Sequence, residues 1–116
     1  MAGPRLMQSW WAPWAPFVER GGGYVGVCAG AYLATNDYPW SLGLLNAKVI
    51  DKKHWARGHG DVEIQLTPNG QSLLNRKQDK LTIHYYQGPL LAPGDDAKLP
   101  AYEKLANFAT EIADNG

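Results

Sequence analysis

The five residues Gly26-Val27-Cys28-Ala29-Gly30 constrain this chain more than any other part of its sequence. They have the form G-x-C-x-G, the thiol counterpart of the G-x-S-x-G elbow, which puts a nucleophile at the tip of a strand-to-helix turn. Such a turn strains the backbone of its central residue and leaves little room for side chains two positions away. Gly26 and Gly30 meet that demand. The flanks agree with it. Tyr24 to Val27 is a short apolar run among glycines and reads as a buried strand, while Ala29 to Ala34 reads as a helix closed by Asn36, Asp37 and Pro39. At a helix start, backbone N–H groups favour the thiolate of Cys28, and the N–H of Ala29 becomes the natural oxyanion donor. The opposing reading is a structural cysteine packed among glycines, because free cysteine is one of the most buried residue types. Gly21 to Gly26 also matches G-x-G-x-x-G. A dinucleotide fingerprint follows a strand and opens a helix, however, and here the strand comes after the glycines, so that reading is rejected.

The rest of the chain punctuates itself. Residues 14 to 20 suit a short helix stopped by Gly21. Ala47 to Ile50 reads as a second strand. Val62, Ile64 and Leu66 alternate with Glu63 and Gln65, as in a half-buried strand whose solvated face carries Asp61 and Glu63. Thr67-Pro68 supplies an N-cap and a first helical position, followed by a short helix over Gln71 to Leu74. Leu81 to Tyr86 is another strand, stopped by Gly88-Pro89, and residues 92–100 read as a loop. Leu105, Phe108 and Ile112 fall at helical spacing. Strands alternating with helices point to a single α/β domain with a mainly parallel sheet.

Composition removes several function classes. The eleven basic and eleven acidic side chains cancel, and no basic run exceeds Lys52-Lys53, so neither nucleic acid nor an anionic membrane is an expected partner. No stretch approaches the roughly 18 apolar residues of a membrane span. One cysteine excludes an internal disulfide and suits a reducing, cytoplasmic setting. Trp10, Trp11 and Trp14 lie among Pro4, Pro13 and Pro16 in a Trp/Pro-rich segment, residues 1–16, which lacks the unbroken apolar core of a secretory signal. With Phe17 they make an awkward surface for a monomer, so a homo-oligomer is expected.

Three histidines are candidate bases. His84 lies near the C-terminal end of its strand, where α/β sites form, and is the first choice to serve Cys28; His59 follows, then His54. A strand histidine satisfied by its neighbours is the commoner case. Tyr86 and Gln87, before the Gly-Pro turn, are candidates to line a substrate pocket with Gly30, although ordinary packing explains the tyrosines as well. The single cysteine and three histidines lack the paired or tight spacings of a zinc site, and no cofactor is called for.

Gly22 to Tyr32 resembles the elbow of the biotin-protein-ligase N-terminal-domain-like branch of the class I glutamine amidotransferase-like superfamily. Ala56-Arg57-Gly58-His59-Gly60 and Tyr85-Tyr86-Gln87-Gly88-Pro89 also look like that branch, and the resemblance runs over about residues 17–116. It implies a flavodoxin-like sandwich in which Cys28 attacks a small amide or related carbonyl, with a histidine base from a His-Pro-Glu tripeptide. This chain departs from the pattern. It has no His-Pro-Glu, and only about twenty residues precede the elbow where relatives have a βα portion with a Gly-Gly oxyanion loop. The resemblance therefore implies a domain incomplete at both ends and inactive as it stands, or a non-catalytic binding or assembly domain that keeps the elbow as architecture. It also implies a strand, rather than a helix, within residues 102–112.

Overall fold

Among the described residues every strand ladder is antiparallel, which overturns the expected mainly parallel, flavodoxin-like sandwich. The structure is a computed structural model describing residues 14–111. These residues divide into two units. The first comprises the described residues up to Lys52 together with Gly88–Tyr102; the second comprises Lys53–Gln87 and the described residues from Glu103 onward. The Trp/Pro-rich segment lies outside the described residues except for its last three positions.

The first unit opens with helix α1 (Trp14–Glu19), which ends where Gly21 takes φ +100°, a left-handed conformation that glycine adopts at no steric cost. Helix α2 (Ala29–Ala34) follows Cys28 over the predicted residues. Beyond it the chain folds back on the helix end. The amides of Leu44 and Leu45 both donate to the carbonyl of Ala34, at 3.1 and 2.9 Å, and the fully buried Thr35 hydroxyl donates to the Tyr32 carbonyl at 2.8 Å. Orphan groups of the helix C-terminus are satisfied in this way.

Strand β1 (Ala47–Ile50) alternates as a half-buried strand should: Ala47 and Val49 are buried, Lys48 and Ile50 exposed. Its partner is β4 (Leu90–Pro93), with Ala47 opposite Pro93 and Ile50 opposite Leu90. The first two positions of the expected 92–100 loop are therefore strand. Proline is tolerated there because β4 is an edge strand of a two-stranded ladder. Asn46 clamps the remaining loop. Its side-chain amide donates to the carbonyls of Asp96 and Leu99, and its Oδ1 accepts from the Asp96 amide.

Asp37 ties this unit together by charge. Its Oδ2 accepts from the amide of buried Val49 at 2.7 Å and lies 3.1 Å from Lys52 Nζ. The Val49 hydrogen bond, and then Lys52, hold its carboxyl below the usual carboxylate range against the opposing pull of burial. A depressed folded-state pKa contributes stability that is present above the unfolded value of about 3.9 and is lost as pH falls through the folded value. Asp37→Asn should therefore lower the melting temperature at pH 7 and flatten its fall below about pH 4. Parallel acid limbs in the two proteins' melting curves would refute this role.

The second unit is a three-stranded sheet of order β3-β2-β5. Strand β2 (His59–Leu66) pairs with β3 (Lys80–Tyr86), from His59 opposite Tyr86 to Gln65 opposite Lys80. Strand β5 (Ala106–Phe108) lies on the other side of β2, with Ile64 opposite Phe108. The tail's described part thus holds the implied strand and not a helix; Ile112 lies outside the described residues. Helix α3 (Pro68–Leu73) connects β2 to β3, capped as expected by Thr67, whose Oγ1 accepts from the Gly70 amide at 3.1 Å. One sheet face carries the core: Val62, Leu66 and Tyr85 are buried, and Tyr85 meets Phe108 edge-on at 5.8 Å. The other face, with His59, Asp61, Tyr86 and His84, is exposed. A sheet with one wet face suits antiparallel pairing; parallel sheets are covered on both sides.

Candidate functional site

Cys28 sits at φ 56°, ψ −110°, immediately before α2. Side chains rarely tolerate such angles, and strain of this kind costs on the order of 1–3 kcal/mol. The surroundings hold the turn in place. The Cys28 carbonyl accepts from Ala31 at 3.0 Å and Tyr32 at 3.2 Å, and the Gly30 amide donates to Val27 at 3.0 Å. Tyr24, on the incoming segment, donates its hydroxyl to the Gly30 carbonyl at 2.6 Å. Cys28 is exposed and outside any disulfide, and it is not the buried structural cysteine of the opposing reading.

The glycines share the burden unequally. A Cβ on Gly26 would stand 2.7 Å from the Gly30 carbonyl carbon and closer still to its oxygen. On Gly30 it would meet nothing nearer than the Tyr24 hydroxyl at 3.5 Å, an ordinary contact. The backbone packing therefore rests on Gly26. Behind the turn lies a cavity of about 360 Å³ with Tyr24, Gly26, Ala31, Leu44 and Leu91 in its wall.

Tyr24 to Val27 departs from expectation. It is not in a strand, and Val25 and Val27 are 91% and 78% exposed, where a buried strand was expected. The apolar run has no ladder partner among the described residues to convert its composition into a strand.

The remaining candidates fall in the second unit. His84 is exposed, and its Nδ1 lies 3.3 Å from Asp61 Oδ1; because a carboxylate only accepts, the ring donates. Tyr86 stacks on His59, with centroids 5.2 Å apart and planes 12° off parallel. Gln87 takes φ 48° and its amide donates to Gly58, closing the ladder. Cys28, Ala29 and Gly30 thus belong to one unit, and His84, Tyr86 and Gln87 to the other. Sequence reasoning missed Asp61 as the partner of His84. The signal existed only in the strand register, which sets these two residues opposite each other across 23 positions of chain. Among the described residues no three or more His, Cys, Asp or Glu side chains form a metal-holding group, and no helix is long and apolar enough to cross a membrane.

No curated protein and no solved structure matches this chain. Residues 7–59, which contain the Cys28 turn, match the family model described as biotin-protein ligase, N terminal, and over that stretch the chain is similar to the biotin-protein-ligase N-terminal branch.

Proposed function

We propose that the chain is a glutamine amidotransferase-like elbow domain in which Cys28 is presented as a nucleophile toward an amide or related carbonyl. The backbone of Cys28 carries this reading, since φ 56°, ψ −110° before a helix is the strained turn that such a nucleophile requires. The thiolate sulfur would attack the carbonyl carbon, and the Ala29 N–H would donate to the developing oxyanion. Turnover also needs a base and a proton for the leaving amine. The resemblance would draw that base from a His-Pro-Glu tripeptide, and the sequence holds none. The expected behaviour is a thiol that is modified readily but does not turn over. At pH 7, iodoacetamide should label Cys28 at least several-fold faster in the folded protein than in urea, while glutamine hydrolysis stays at background. Equal or slower labelling in the folded protein would sink the elbow reading, and hydrolysis abolished by Cys28→Ser would sink the claim of inactivity.

The exposed Val25 and Val27 favour a second reading, a non-catalytic assembly domain that presents an extended apolar segment to another copy of the chain. A monomer by light scattering at micromolar concentration would refute it.

A further inference from the structure

The solvated face of the second sheet brings two imidazoles together. His59 pairs across the ladder with Tyr86, and Asp61 with His84, so His59 and His84 are diagonal neighbours on one face. Their ring centroids are 5.9 Å apart and their planes 48° from each other. Two imidazoles that share one metal at about 2.0–2.1 Å per bond have centroids roughly 4.5–6 Å apart, so the observed spacing needs little adjustment. Both side chains are exposed, so packing against a core does not account for their proximity.

The neighbours do what a metal's outer shell does. Asp61 receives the Nδ1 proton of His84, which fixes the tautomer and leaves the Nε2 lone pair for a metal. Tyr86 stacks on His59 and fixes the plane of that ring. The Asp61 carboxylate also adds a negative charge beside the pair. Glu63, next on the same face, is engaged with Lys80 at 3.7 Å.

We infer that His59 and His84 form a two-imidazole clip for a late first-row divalent cation of the zinc, nickel or copper kind, with Asp61 as the positioning residue and water completing the coordination. Imidazole suits these metals, and affinity for such a site rises through nickel to copper. No third protein ligand joins them among the described residues, so exchange should be fast and binding modest.

Nickel titration followed by NMR tests this residue by residue. Substoichiometric Ni2+ should broaden the ring protons of His59 and His84 together, while His54 stays sharp. His59→Ala and His84→Ala should each weaken Zn2+ binding at least tenfold by calorimetry, with unchanged circular-dichroism melts. Asp61→Asn should weaken it about three- to tenfold, since it acts through His84. Broadening of His54 to the same extent would overturn the inference. So would either single alanine variant that keeps wild-type Zn2+ affinity.

Discussion

Gly26→Ala is expected to abolish the soluble folded protein, although it adds only a methyl group. The new Cβ would stand 2.7 Å from the Gly30 carbonyl carbon and 2.8 Å from the Tyr24 ring. Neither neighbour is free to retreat. The Gly30 carbonyl is held by the Tyr24 hydroxyl at 2.6 Å, and the Gly30 amide by Val27. Relief would have to come from the strained Cys28 turn itself. Overpacking against side chains costs about 1–3 kcal/mol, and here the obstacle is backbone, so the loss should reach or exceed the top of that range. A small unit has little stability to lose. Gly30→Ala is the control: with 3.5 Å to its nearest neighbour, it should fold with a melting curve close to wild type. Soluble yield and thermal melts of the two variants read the contrast, and equal behaviour would show that Gly26 is not the packing point.

The second large effect is expected at Gly70, where two rules give opposite signs. Glycine inside a helix costs about 1 kcal/mol relative to alanine, so propensity alone makes Gly70→Ala stabilising. Gly70 is buried in α3, however, and its Cβ would stand 3.0 Å from the Leu105 carbonyl carbon and closer to the oxygen. That oxygen accepts from the Thr67 amide at 2.9 Å and, at 3.2 Å, shares the Thr67 hydroxyl proton with the Lys104 carbonyl at 3.0 Å. Moving it gives up hydrogen bonds worth about 0.5–1.5 kcal/mol each, in addition to the clash. Packing should win, with a net destabilisation of about 2–4 kcal/mol in urea unfolding. A midpoint at or above wild type would show that helix propensity outweighs packing at Gly70.

Local chemistry was legible in the sequence where the cause was itself local. Thr67-Pro68 start α3 because a hydroxyl acceptor and a fixed φ suit a helix entry wherever the helix lies. Gly21 stops α1, and α2 spans its predicted residues. The positive φ of Cys28 agrees with the glycine at position 26, where a side chain would meet the Gly30 carbonyl. The wet face of β2 was also readable, as alternation puts Asp61 and Glu63 on one side.

What the sequence left open is everything set by pairing. A short apolar run has the same composition in a parallel, antiparallel or unpaired strand, so Tyr24 to Val27 was read as buried strand and proved exposed. Helices between strands suggested parallel crossovers. The Thr67–Asp79 connection instead returns the chain antiparallel, closed by the Leu66 amide donating to Asp79 at 2.6 Å. Residues 90–93 became strand because β1 offers them a ladder, which their own composition does not announce. Likewise, His59 acquires His84, and His84 acquires Asp61, only through the register of β2 on β3. The sequence by itself determined the tight turn at Cys28, the caps and the stops, because each depends on steric and hydrogen-bonding demands within a few residues. Tertiary structure alone decided strand direction, partners and the grouping of histidines, because ladder hydrogen bonds join backbone groups that carry no residue identity and can pair in more than one direction and register.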